Sequence, residues 1–232
     1  MNIRAAIFDK DGTLFDFQST WGVWTGLVLA RISGADTALF EQLAQALEYD
    51  VQTRKVMPGS LIVAGTPLEI AQNIQRFKSN ITVAEILNQL NEEAEHAPQV
   101  LVTDLQLLTA ELRAQGLKLS VMTNDAERPA KVHLAAVGAL QLFDHVIGSD
   151  SGFGAKPDPG PLLALAAKMD VEPTACVMVG DSQHDLFAGC AAGMRVVGVL
   201  TGLAGSEELS PLADVVLPDV SYLPAWISVQ NS

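Results

Sequence analysis

Cysteine is nearly absent from the chain: two residues, Cys176 and Cys190, stand apart and outside any Cys-x-x-Cys spacing. That rules out a disulfide scaffold or a cysteine-built metal knuckle and fits a reducing compartment. Positive charge is scarce as well, with 14 Lys and Arg against 27 Asp and Glu and a net charge of -13. So acidic a chain argues against nucleic acid or anionic membrane as the principal partner. No apolar run reaches the ~18 residues of a membrane span. The first residues enter an apolar strand pattern rather than a secretory leader, and there is no internal repeat or low-complexity tract. With 49% hydrophobic and 18% charged residues over 232 positions, the expectation is a soluble cytoplasmic protein. It has one large core, or a core and a smaller insert. No sequence feature speaks to oligomeric state.

The chain is organised around Asp9-Lys10-Asp11-Gly12-Thr13, which directly follows the apolar stretch ending Ala5-Ala6-Ile7-Phe8. Two carboxylates at the mouth of a buried strand are poor packing material, because an ionised carboxylate resists burial without a partner. Gly12 permits a tight turn or a close approach to a ligand. After Asp16 the pattern turns helical for about eighty residues. Trp21, Trp24, Val28 and Ile32 share a face, as do Leu39, Leu43 and Leu47, and Thr66-Pro67-Leu68-Glu69 and Thr82-Val83-Ala84-Glu85 read as capping boxes. This predicts about four helices with one irregular connection, Asp50 to Gly65. From about residue 98 helix and strand alternate, as in a parallel α/β sheet. Strands are expected at Leu117–Met122, His145–Gly148, Ala175–Val179 and Val196–Leu200, with Val215–Leu217 at an edge.

Polar chemistry recurs where strands end: Asp9 and Asp11, then Thr123 and Asn124, then Asp181 with Asp185. Ligands of open parallel sheets bind beyond the carboxyl ends of the strands, so these residues should converge, with Lys156 entering from a loop. Four carboxylates offer the hard oxygens that suit Mg2+. Asp181 and Asp185, four apart at a helix start, can face the same ion. A hydroxyl and an ammonium suit phosphate oxygens.

Together these segments resemble the haloacid dehalogenase superfamily, over residues 1–16 and about 98–232. The first motif is Asp9-Lys10-Asp11-Gly12-Thr13, the second Thr123-Asn124, the third Lys156 before Pro157, and the fourth Gly180-Asp181-Ser182 with Asp185. Ala188-Gly189-Cys190-Ala191-Ala192-Gly193-Met194 is similar to the phosphoglycolate phosphatase branch. The resemblance implies a doubly wound Rossmann-like core (1–16 and 98–232) carrying an inserted all-helical cap (17–97). It further implies a Mg2+-dependent phosphomonoester hydrolase acting on a small, phosphoglycolate-like ester. Asp9 would be the nucleophile and Asp11 the general acid and base. Gly12, Thr123, Asn124 and Lys156 would bind the phosphoryl group. Asp9, Asp11 through its carbonyl, Asp181 and, through water, Asp185 would hold the metal. A sugar phosphomutase shares all four motifs and stands as the alternative within the family. A non-catalytic binding protein on a phosphatase scaffold stands as the alternative outside it.

Other residues read more plainly. Lys10 is expected to be solvated or loop-facing, His184 to be structural, Asp16 to shape the turn after the first motif, and Asp125, Asp150 and Asp158 to cap turns. Trp21 and Trp24 are expected in the core. Arg54 and Lys55, an adjacent basic pair in an acidic chain, are candidates for a second anionic group of the substrate, with a solvated pair as the alternative.

Overall fold

The computed structural model describes residues 2–232; Met1, counted in the 1–16 segment, lies outside them. Strand β1 (Ala5–Phe8) is followed by one turn of wider, π-type helix (Gln18–Gly22) that runs into α1 (Val23–Ser33). Then come α2 (Thr37–Ala46), a hairpin of β2 (Tyr49–Asp50) and β3 (Lys55–Val56), α3 (Leu61–Ala64), α4 (Pro67–Gln75) and α5 (Val83–Glu95). Both expected capping boxes form, at Thr66 with Glu69 and at Thr82 with Glu85. The insert is therefore helical except for the hairpin, which occupies part of the connection expected to be irregular.

The remainder alternates: α6 (Leu105–Ala114), β4 (Lys118–Met122), α7 (Glu127–Ala136), β5 (His145–Ile147), α8 (Gly160–Lys168), β6 (Cys176–Gly180), α9 (Gln183–Ala191), β7 (Arg195–Val199), α10 (Ser206–Leu209), β8 (Val215–Leu217) and α11 (Leu223–Gln230). Six of the strands form one parallel sheet in the order β5-β4-β1-β6-β7-β8. Alternation along β1 sends Ala6 and Phe8 to one face, with Leu119, Val121, Val177 and Val179 under α6 and α11. Ala5 and Ile7 go to the other, with Met122, Met178 and Val196 under α8 and α9. A third cluster, from Trp21 and Trp24 to Leu90 and Ala94, lies within the insert. Among the described residues no helix is long and apolar enough to cross a membrane.

Two details place the site. The chain leaves β1 toward β4 on one side and returns through β6 on the other, so the order reverses at β1 and β6, where a crevice opens beyond the strand ends. The two connections between sheet and insert also pair with each other. Asp16 N donates to Val100 O (2.8 Å), Val102 N donates to Leu14 O (3.0 Å), and Phe15 bridges Leu101 antiparallel.

Candidate active site

Asp9 is the first residue beyond β1, and its N–H still pairs with Val179 O of β6 at 2.8 Å. Asp181 is the first residue beyond β6, and Asp185 lies in the first turn of α9. All three are buried, and one oxygen from each lies within 4.8 Å of the others. The Lys156 ammonium donates to Asp9 Oδ1 (2.5 Å), Asp185 Oδ1 (2.6 Å) and Met122 O (3.0 Å), so its three hydrogens are all used. Three carboxylates thus face one ammonium. Burial first, offset in part by Lys156 and reinforced by Asp185 and Asp11, pushes Asp9 up to about 7. Burial and then repulsion from Asp9 and Asp185 push Asp181 well above the usual carboxylate range. Burial pulls Lys156 down, but Asp185 and Asp9 outweigh it and hold the ammonium above its ordinary value. The cluster is short of positive charge.

Neighbouring residues fix these groups. Thr13 Oγ1 donates to Asp181 Oδ1 at 3.1 Å, and Asp185 Oδ2 accepts from Ser182 N (3.0 Å) and Oγ (2.7 Å), closing the cap of α9. Asp181 passes so close to Gly12 and Gly202 that a Cβ on either would sit within 2.3 or 1.7 Å of its carboxylate, and Gly12 has φ +83. Gly12 N–H donates to Phe15 O at 2.7 Å, and the side chain it lacks leaves the space that Asp181 occupies. Thr123 is buried against the same cavity, its Oγ1 accepting from Asp125 N at 3.1 Å. The side chain of Asn124 binds Lys156 N (2.9 Å), Lys156 O (2.8 Å) and Ala64 O of α3 (2.7 Å), so it clamps the lysine loop to the insert.

Asp11 lies at the cavity with its carboxylate against Lys10, whose Nζ is 2.8 Å from Oδ1 and 2.7 Å from Oδ2. Lys10 is not solvated as expected: its side chain is 0% exposed. Alternation beyond β1 turns it inward, toward His133 of α7 (3.0 Å) and Asp125 (3.7 Å). Asp125 is likewise more than a turn residue. It accepts from Ala126 N at 2.7 Å, is buried, and is pushed by burial, against the pull of Lys10, up to about 7. Asp16 does shape the following turn, accepting from Ser19 N, and Asp150 and Asp158 cap as expected. His184 is exposed at the rim of the cavity.

The cavity measures about 50 Å3, room for a few waters at ~10–15 Å3 each. Its floor is Asp9, Asp11, Thr123, Lys156 and Asp181, and its roof is the insert, mainly Phe17, Trp21, Trp24, Ile70 and Leu90. Trp21 and Trp24 are core residues, packed edge to face at 4.9 Å, and line the cavity as well. Asn91 adds the roof's one amide side chain, and its Oδ1 is buried without a hydrogen-bond partner. Arg54 and Lys55 are not brought to the site. They lie at the tip of the β2–β3 hairpin with exposed side chains and are absent from the cavity lining, because the hairpin turn points into solvent while β3 binds Gln18.

A family profile for haloacid dehalogenase-like hydrolases matches residues 3–193. A phosphoglycolate phosphatase of Rhodospirillum rubrum is 31% identical, over 97% of this chain and 90% of the relative. Among solved structures, CbbY from Rhodobacter sphaeroides in complex with phosphate superposes with a TM-score of 0.71 at 22% identity, over 95% of this chain and 96% of that one. A β-phosphoglucomutase from Clostridium difficile gives 0.67 at 19% identity, over 98% of each chain. At these identities the two structures speak for the fold.

Proposed function

The chain belongs to the haloacid dehalogenase-like hydrolases, and from that premise we propose that it is a cytoplasmic phosphatase cleaving a small phosphate monoester, with Mg2+, through an aspartyl-phosphate on Asp9. Residues 1–16 and 98–232 are the catalytic core in this reading, and 17–97 the cap. The observation that carries it is the buried Asp9–Lys156–Asp185–Asp181 cluster at the switch point of the sheet, opening into a cavity.

Mg2+ fits the donors: all are hard oxygens, and Asp9 and Asp181 are raised by burial and mutual repulsion that a divalent ion relieves. Asp9, Asp181 and the Asp11 carbonyl would hold it, with Asp185 behind them. Bound there, the ion supplies the charge that lets an anionic nucleophile meet an anionic substrate. A carboxylate oxygen of Asp9 bonds to phosphorus while the ester P–O bond breaks, and the departing alcohol oxygen takes its proton from Asp11. Asp11 then takes a proton from water, the water oxygen bonds to phosphorus, and the P–O bond to Asp9 breaks. Phosphate leaves and the Asp9 carboxylate is restored. Thr123 and Lys156 meet the phosphoryl oxygens, where charge builds, the ammonium turning to them the hydrogen that Asp9 accepts in the free site.

The name of the Rhodospirillum rubrum relative makes phosphoglycolate the first ester to try. A neutral ester is the second reading, and one observation favours it: among the described residues the roof presents no Lys or Arg to a carboxylate. A phosphomutase would keep the phosphate on Asp9 instead of releasing it. Turnover of p-nitrophenyl phosphate tests the whole reading. Phosphate release should require Mg2+, stop in chelator and be abolished by Asp9→Asn. Release that survives Asp9→Asn in a clean preparation overturns the nucleophile.

A further inference from the structure

Lys10 sits between the two carboxylates of the first motif, and the reaction as written leaves it without a task. Its ammonium touches both oxygens of Asp11, lies 3.0 Å from His133 Nδ1 and 3.7 Å from Asp125 Oδ2, and stands 5.7 and 5.5 Å from the rings of Phe15 and Trp21. An ammonium can only donate, so His133 Nδ1 accepts. Nε2 then carries the hydrogen and donates to Ala94 O of α5, at 2.6 Å. Burial, and then the charge of Lys10, push His133 down to about 4, which agrees with a neutral ring. Asp125 Oδ2 has no hydrogen-bond partner of its own and faces Lys10 as its nearest cation.

Burying a lysine is unfavourable unless its partners offset the lost hydration, and an apolar side chain would fill the space between Phe15 and Trp21 without that penalty. What lysine adds is a grip on a carboxylate by both oxygens. We propose that Lys10 is the positioning residue for Asp11 in the hydrolytic half of the reaction. His133 and Asp125 hold its ammonium, and the His133–Ala94 bond ties that support to the insert. The inference rests on the reading of Asp11 as acid and base. In that half, water gives its proton to Asp11, its oxygen bonds to phosphorus, and the phosphorus–oxygen bond to Asp9 breaks. The proton moves efficiently only if the carboxylate is within hydrogen-bond reach of the water.

p-Nitrophenyl phosphate isolates this half, because nitrophenolate departs without a proton. Its kcat/KM reads the attack by Asp9, and its kcat reads loss of phosphate from Asp9 once that step is slow. For Lys10→Met, kcat and KM should fall together by ~10-fold or more while kcat/KM stays within about 3-fold, with a burst of one nitrophenolate per enzyme. A merely loosened fold would lower kcat/KM as well, so a fall of kcat/KM equal to that of kcat overturns the proposal, as does an unchanged kcat. Asp11→Asn separates the two levels of the argument. If it fails to produce the split, the acid–base reading of Asp11 is wrong; if it does so and Lys10→Met does not, only the role of Lys10 is wrong. The double variant should be no slower than Asp11→Asn alone, because both changes act on one group. Should Lys10→Met not fold, as judged by thermal melting, His133→Leu carries the test. Its kcat should fall ~3-fold or more with kcat/KM held, and an unchanged kcat overturns the proposal.

Discussion

The floor and the roof of the cavity are built on opposite principles. The floor is made of charges taken out of water, and nearly every polar atom there has a named partner: Lys156 with Asp9, Asp185 and Met122 O, Asp181 with Thr13, Asp11 with Lys10. The roof is made of Trp21, Trp24, Ile70 and Leu90, and its one amide, Asn91, leaves an oxygen without a partner. A floor of that kind tolerates almost no change, because each removed partner strands a buried charge. An apolar wall tolerates change and grades its ligands by shape. Charge is concentrated in one wall and apolar surface in the other.

Breaking the floor should have the largest effect. Lys156→Met strands Asp9 and Asp185 and should cost ~3–5 kcal/mol of stability, the range for unpairing a buried ion, together with all measurable turnover. Chemical denaturation and the nitrophenyl phosphate assay check both. A stable, active variant would mean that the lysine is not the counter-charge of the cluster.

The floor can also be probed without mutation. Asp9 and Asp125 hold protons up to about 7 in the fold against 3.8 ordinarily. Their protonated forms therefore stabilise the metal-free protein fully below about pH 4, and that contribution is lost as pH rises toward 7. His133, lowered from 6.5 to about 4, works the other way over a similar window, but it is one group against two, and Asp181 adds to the two. The metal-free melting temperature should thus fall between about pH 4 and 7. Added Mg2+ should raise it more at pH 7.5 than at pH 5.5, where protons compete for the same oxygens. A Mg2+ shift larger at the lower pH would contradict this.

Changes to the roof should redirect rather than abolish. Asn91→Arg places a cation on the apolar side and should raise kcat/KM for phosphoglycolate relative to p-nitrophenyl phosphate by ~10-fold, the worth of one hydrogen bond to a charge. Outside the cavity the effect should vanish: replacing Arg54 and Lys55 together by Ala should leave both substrates within about 2-fold, as for other exposed positions. A selective loss on phosphoglycolate would bring the hairpin back into the site.

The sheet was legible because its strands end in turn signals and the longer helices between them carry apolar stripes. α10 and α11 were not, since four residues hold no period and α11 is apolar nearly all round. The caps at Thr66 and Thr82 needed only four local residues. The floor was legible for a related reason, since Asp9, Asp11, Asp181 and Lys156 are polar groups at strand ends and in a loop, where packing gives them no purpose. Lys10 was not, because its role depends on a histidine 123 residues away, and locally it resembles any lysine beside an acid. At Gly12 the tight turn is legible but the close approach is not, because what comes close is an aspartate 169 positions later. The roof was hidden because cavity-lining and core residues share one helical pattern, and the hairpin because strands of two residues have no alternation to read.

The pairing of Asp16 with Val100, and of Leu14 with Val102, has a consequence for the length of the insert. It holds together the two ends of everything between them, so from the sheet's side the entire insert is a single loop whose ends are already closed. The entropic cost of such a loop grows only with the logarithm of its length, about 0.6 kcal/mol for each doubling. Changes of insert length by themselves therefore cost the sheet little, whereas the bonds of Ala64 O to Asn124 and of Ala94 O to His133 go with the residues that make them.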